Sequence, residues 1–334
     1  MTIREQLEER ERKDLSPFAC LSAESKGRLV PIEPCPLRTC FQRDVDRIVH
    51  CKAFRRLKHK TQVFLQPEGD HYRTRMTHTL EVCRVARTIS RSLGLNEDLT
   101  EAAALGHDLG HTPFGHAGER LLNEIMPGGF RHYEQSLRVA DRLENDGAGL
   151  DLTYEVRRGI LCHSGPDRAE TLEGQVVRLA YKIAYLSADI DDALRGGVIY
   201  PLDIPAEIAQ VLGNTHSERI NTLVWDIINA SRGHNWIRQS PEVGAAMARL
   251  RSFMFDSVYH DPVAKGEEGK AQELIRRLFD YYMRETDRLP AEFQEIRAAE
   301  GTERAVCDYI AGMTDDFAVQ QYLDLFIPKS WTVK

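Results

Sequence analysis

A chain of 334 residues, 42% hydrophobic and 28% charged, carries enough apolar material for one large domain or two ordinary ones. It has no apolar run of transmembrane length, its opening residues MTIREQLEERERKDL are too charged for a signal peptide, and its net charge of −7 argues against a surface coated in nucleic acid. Seven cysteines without a CxxC pair suit reduced thiols in a cytoplasm better than a disulfide framework or a zinc ribbon.

In chain order, residues 1–40 are expected to form an irregular N-terminal arm, because LSPF, SKGR and PIEPCP supply turn and breaker signals. RTCFQRDVDRIVHCKAFRRLKH then reads as a helix. Together with HYRTR it gathers Arg43, Arg47, Lys52, Arg55, Arg56, Lys58, Lys60, Arg73 and Arg75 into a short stretch of an acidic protein. Such a cluster suits a polyphosphate or a nucleic-acid backbone, or is simply a solvated helix face. In THTLEVCRVARTISRSLG, Val82, Val85, Ala86, Ile89 and Leu93 keep helical spacing and Gly94 ends the run. Asn96 caps the next helix, which carries Leu99, Ala103 and Gly106 on one stripe; Pro113 interrupts it, and another helix starts near Gly115. Further helices are expected at about 132–145, 153–162, 171–195, 204–212, 216–231, 241–259, 267–286, 302–313 and 315–326. Short strands are expected only at QVFL (62–65) and RLVPI (28–32). The fold class is therefore all-α with at most a short β-hairpin: a helical core over 41–200 and a helical C-terminal extension over 201–334 packed on it.

The residues able to do chemistry concentrate in EAAALGHDLGHTPFGHAGE. His78 lies four residues before Val82 and His107 continues the stripe of Leu99 and Ala103, so both point inward, and Asp108 follows directly. One such histidine alone reads as a hydrogen-bonded core residue. His78, His107 and Asp108 together, with His111 and His116 nearby, read as a metal site suited to Zn, Fe, Mn, Ni or Co. His116 and Glu119 are three apart on one helix face, a pairing that suits general acid–base work or an ordinary helix N-terminus. In RLAYKIAYLSADIDDA, Arg178, Tyr181, Lys182, Tyr185 and Asp189 fall on one continuous helical face, as in a helix lining a cleft.

HTLEV…GHDLGHTPFGHAGE resembles the HD-domain superfamily, named for its His…His-Asp metal site. More narrowly, LSPFACLSAESKGR, RDVDRIVHCKAFRRLKHKTQVF, FRHYEQSLR, LEGQVVRLAYKIAY and DYIAGMTDDFA make the chain similar to the deoxyguanosine triphosphate triphosphohydrolase (dGTPase) family, in its shorter dGTPase-like branch. The resemblance implies a mostly helical HD-domain core and a divalent metal (Mn, Mg, Fe, Ni, Co or Zn). It also implies cleavage of a dNTP into deoxynucleoside and inorganic triphosphate by water attack at the α-phosphorus. By motif position, His78, His107 and Asp108 would ligate the metal, His116 supported by Glu119 would handle the proton, and His111 would contact phosphate. Arg75 and Lys182 would hold the triphosphate, with Arg56 a further substrate contact from the basic stretch. Gln62 and Asp189 would bond the sugar 3′-hydroxyl and Tyr185 would pack on the deoxyribose. Relatives form homo-oligomers, often hexamers, with allosteric nucleotides between subunits, and single-stranded DNA is an additional partner to consider; no membrane association is implied.

The pattern departs at Tyr181, where the family has Asp as fourth metal ligand, and at Ala188, where it has His. Tyr181 as a phenolate ligand favouring ferric iron, water in its slot, or an empty site are the three alternatives. Asp189 lies two turns along the helix, about 12 Å away, too far to substitute. The competing functions are a nucleotide-sensing oligomer with a degraded metal site and another HD phosphohydrolase, such as a 5′-nucleotidase.

Overall fold

Thr74, Asn96, Thr171 and Thr215 each accept a hydrogen bond from the backbone N–H three residues on, and each thereby opens a helix of the core. The computed structural model describes residues 1–62, 73–259 and 266–329. Among these residues the chain forms α1 (Ile3–Asp14), α2 (Cys40–His50), α3 (Lys52–Arg56), α4 (Arg75–Leu93), α5 (Glu97–Gly106), α6 (Gly115–Ile125), α7 (His132–Arg138) and α8 (Tyr154–Cys162). It continues through α9 (Leu172–Arg195), α10 (Ala206–Leu212), α11 (His216–Ser231), α12 (Pro241–Met254), α13 (Glu268–Arg284), α14 (Ala291–Glu300), α15 (Thr302–Ala311) and α16 (Asp315–Phe326). The all-α expectation holds. No strand occurs among the described residues, only an isolated bridge between Thr61 and Thr74; RLVPI is irregular, and residues 63–65 of QVFL lie outside the described residues.

Three local expectations are corrected. The first residues are helical rather than irregular, because Thr2 and Glu5 form a capping box and Arg4 pairs with Glu8 one turn on, although the helix buries no residue. The helix begun at Cys40 breaks at Cys51, where the Glu144 carboxylate accepts from the N–H groups of Lys52 (2.9 Å) and Ala53 (2.7 Å) and starts α3 at a new angle. α14 was not expected at all.

The packing gathers into two apolar clusters. One joins α2, α4, α5, α8, α9, α11 and α12 through side chains such as Phe41, Ile89, Leu99, Ile160 and Ile183. The other joins α6 to α13, α15 and α16 through Leu121, Leu122, Ile275, Leu278 and Ile310. The two cores therefore do not divide the chain near residue 200: α6 belongs with the C-terminal helices, while α11 and α12 pack on the N-terminal ones. The segment His107–Phe114 crosses from the first core to the second. It lies so close to α7 that a Cβ on Gly110 would come within 2.2 Å of the Gln135 and Ser136 backbone, so only glycine fits there.

Candidate active site

The site is assembled at helix ends. α5 is a stripe of small residues, Ala102, Ala103 and Ala104, which lets its neighbours approach closely. It stops at Gly106, so His107 and Asp108 are set at its C-terminal end, with His111 one turn on. Pro113 forces a corner in which Phe114 adopts a left-handed backbone (φ 57°), strained for a residue with a Cβ. Asp315, at the start of α16, holds this corner by accepting from the Phe114 N–H (2.8 Å), and also from the Thr61 N–H (2.9 Å) and hydroxyl. α6 then presents His116 and Glu119.

One ligand atom each from His78, His107 and Asp108 lie within 4.8 Å of one another, and all three side chains are completely buried. His107 Nδ1 donates to the Ala104 carbonyl (2.7 Å), which leaves Nε2 bare and without a hydrogen-bond partner. Among the described residues neither ring nitrogen of His78 has a partner, nor has Asp108 Oδ1. Asp108 Oδ2 accepts from Arg75 (2.9 Å). Burial lowers the His78 pKa to about 3 and pushes that of His107 down, so both rings are neutral. Burial works against an ionised Asp108, but its carboxyl is held well below the usual carboxylate range, with the Arg75 guanidinium 2.9 Å from it favouring the charged form. Neutral imidazoles with free lone pairs beside a carboxylate are the donor set a borderline divalent cation takes. Buried polar atoms left bare each cost about 1–3 kcal/mol, so the set fits a metal better than it fits a structural role.

Beside this set runs a chain of imidazoles. Glu119 accepts from His116 Nδ1 (2.9 Å) and from His132 Nδ1 (2.8 Å), and it also receives the His132 backbone N–H (2.9 Å). His111 stacks on His132 at 4.8 Å between ring centroids. His132 Nε2 faces His163 Nε2 at 3.2 Å, and His163 Nδ1 donates to the Ile160 carbonyl (2.8 Å). His116, unlike the others, opens onto solvent.

The opening is a cleft of about 790 Å³, lined by Gln62, His116, His132, His163, Tyr181, Lys182, Tyr185 and Asp189, together with Arg251, Phe255 and Tyr259. Tyr181 stands edge-on to His78 and His107 at 5.8 and 5.5 Å between centroids, and burial pushes its phenol well above the ordinary tyrosine value. Burial raises the Asp189 pKa to about 7 even though Tyr259 donates its hydroxyl to Oδ2; among the described residues Oδ1 has no partner, and neither has Gln62 Oε1. Lys182 is half-buried, its pKa lowered by that burial and by the neighbouring Arg178 and Arg251. Arg178 is committed elsewhere: its guanidinium donates to the carbonyls of Cys162, Ser164, Gly165 and Asp167, clamping the turn that carries His163.

Two of the expected substrate contacts are placed differently. Arg56 lies outside the cleft, 3.9 Å from Glu144 on a separate cavity of about 350 Å³, because the break at Cys51 turns α3 toward α7. Arg75 is buried against Asp108 and is not on the cleft wall. Three more of the basic stretch are consumed internally, Arg47 by Asp151, Arg73 by Glu81 and Asp192, and Lys60 by the carbonyls of His111 and Ala311, while Lys52, Arg55 and Lys58 are exposed. Sequence reasoning missed His132 and His163. The signal for His163 was present, since it continues the buried stripe of Val156 and Ile160, but a lone histidine on a helix carries no pattern of its own.

A family model described as HD domain matches residues 75–186, and one described as phosphohydrolase-associated domain matches residues 237–324. A "Deoxyguanosinetriphosphate triphosphohydrolase-like protein" of Caldanaerobacter subterraneus subsp. tengcongensis is 56% identical, with 99% of this chain and 98% of the relative covered. Proteins of the same description from Desulfatibacillum aliphaticivorans and Clostridium perfringens strain SM101 are 52% and 49% identical, each with 98% of this chain and 99% of the relative covered. The chain belongs to the HD superfamily of phosphohydrolases, in the family of dGTPase-like proteins.

Proposed function

We propose that the protein is a metal-dependent dNTP triphosphohydrolase, acting on dGTP or several dNTPs and releasing a deoxynucleoside and inorganic triphosphate. The observation that carries this reading is the set of bare, buried donor atoms on His78, His107 and Asp108, packed against Tyr181 and His163 of a cleft large enough for a nucleotide. These three residues would hold the divalent metal, leaving coordination positions open as catalytic sites do. When bound, the metal polarises a phosphoryl oxygen and acidifies a water.

The chain's own groups divide the remaining work. Water oxygen bonds to the α-phosphorus as the bond from phosphorus to the sugar 5′-oxygen breaks. His116, protonated on both ring nitrogens with Nδ1–H held by Glu119, would give the leaving 5′-oxygen its proton from Nε2, while the proton lost by the attacking water leaves with the triphosphate or to solvent. A positioned acid of this kind is worth roughly 10²–10⁴ in rate. Lys182 would hold the triphosphate with Arg251 beside it, while Arg75 orients Asp108 rather than touching phosphate. Bare acceptors on Gln62 and Asp189 suit the 3′-hydroxyl, and Tyr185 offers a flat apolar face to the deoxyribose. Tyr181 walls the site between the histidines and the cleft.

The test is product analysis. Purified protein with Mn²⁺ and each dNTP should release deoxynucleoside and tripolyphosphate in equal amounts. Monophosphate with pyrophosphate, or turnover of monophosphates alone, would assign another phosphohydrolase reaction; binding of dNTP without turnover would favour the sensing oligomer.

A further inference from the structure

Three histidines of the site share one arrangement. His107 ties Nδ1 to the Ala104 carbonyl, His163 ties Nδ1 to the Ile160 carbonyl, and His132 ties Nδ1 to the Glu119 carboxylate. A backbone carbonyl can only accept, so the rings of His107 and His163 carry their hydrogen on Nδ1 and turn a bare Nε2 inward. A carboxylate or carbonyl behind the ring is the partner that metal-bound imidazoles ordinarily have. His107 is accounted for by the set already described. His132 and His163 are not, and their Nε2 atoms face one another at 3.2 Å with no other partner between them.

We propose that Asp108, His132 and His163 form a second cation site, joined to the first through Asp108. Their ligand atoms lie within 4.8 Å of one another, and all three side chains are buried, with exposures of 0, 5 and 0%. Asp108 Oδ1 is the bare atom available to both sets, since Oδ2 is held by Arg75. Two nitrogens 3.2 Å apart, each about 2.1 Å from one ion, subtend roughly 100° at it, between octahedral and tetrahedral geometry. Two imidazoles and one carboxylate suit a borderline divalent cation such as Mn²⁺, Fe²⁺, Co²⁺ or Zn²⁺. His132 and His163 both line the cleft, so the second ion would reach the phosphate oxygens of a bound substrate. The proposal rests on reading His78, His107 and Asp108 as the first site, and its test separates the two.

Full-length protein is stripped with chelator, loaded with Mn²⁺ alone and desalted; metal per chain is then counted and the electron paramagnetic resonance spectrum recorded. The expected result is two equivalents with a spin-coupled signal, falling to one equivalent and an isolated six-line signal in both His163→Ala and the closer-sized His163→Gln. One equivalent in the unaltered protein, with no coupling, overturns the second site and assigns the His132–His163 contact to a shared proton. No retained manganese overturns the first site, and the proposed function with it. The count and spectrum of the unaltered protein decide the matter even if a variant fails to fold.

Discussion

Asp108 and Asp308 are both buried carboxylates on helix-terminal turns or helices facing arginine, yet their surroundings are opposite. Asp308 accepts from Gln135 (2.8 Å), from Arg138 through Nε and Nη2 (2.9 and 2.7 Å to Oδ2), and from Arg304 (2.6 Å). Each of its oxygens is used, and the result ties α7 to α15. Asp108 has one arginine on one oxygen and bare atoms all around the other. A buried charge that is fully partnered is scaffolding, whereas one left half-partnered among neutral imidazoles waits for a ligand. The comparison also explains the segment DYIAGMTDDFA: Asp308 docks the C-terminal helices, the Ala311 carbonyl takes Lys60, and Asp315 holds the strained Phe114 corner ahead of His116.

The largest effect is expected at the unsatisfied centre. Asp108→Ala should abolish metal retention and lower kcat/KM for a dNTP by at least about 10³. His78→Leu should remove the first ion, leaving at most one equivalent of manganese, and lower kcat/KM comparably, while the melting temperature of the metal-free protein stays unchanged or rises, because a buried imidazole with no partner among the described residues is removed. Calorimetry with and without Mn²⁺ checks both, since the ion should stabilise the unaltered protein most and the Asp108→Ala variant not at all.

Asp308→Ala should act in the opposite sense, costing about 1–3 kcal/mol in urea unfolding by removing the acceptor shared by Gln135, Arg138 and Arg304, although Arg138 keeps Glu300 and Arg304 keeps Gln135, with activity per folded molecule retained. Asp315→Ala is intermediate. Freeing the left-handed Phe114 should cost about 1–3 kcal/mol and lower kcat several-fold with KM little changed, as His116 loses its fixed position. A larger rise in KM than fall in kcat would mean that the corner serves binding instead.

How far the sequence reached follows the same division. The burial of His78 and His107 was legible because each extends an apolar stripe into the core, a pattern that periodicity exposes, and Asp108 followed as the neighbour of His107. His132 and His163 were not, since their partnership exists only where α7 and α8 meet. Arg56 was misplaced because charge says nothing of the turn that Glu144 imposes at Cys51. α1 escaped because it buries nothing, and only the Thr2–Glu5 capping box announced it.

The smallest effect lies in the scaffold's own weak point. Glu173 is buried, accepts from the N–H groups of Cys20 and Asn96 on one oxygen, and leaves the other bare; burial raises its pKa to about 7. A carboxyl raised above its unfolded value contributes stability that is complete below the unfolded pKa and lost as pH rises through the folded one. Melting temperatures of Glu173→Gln should therefore gain on the unaltered protein between about pH 5 and pH 8. A difference that stays constant with pH would mean that Glu173 is ionised in the fold.

The most direct test of the central claim is an anomalous difference map from crystals grown with Mn²⁺. The account predicts a peak about 2.0–2.2 Å from a nitrogen of His78, Nε2 of His107 and an oxygen of Asp108. A map without density there, with the His78 nitrogens instead hydrogen-bonded to ordered water, would contradict it.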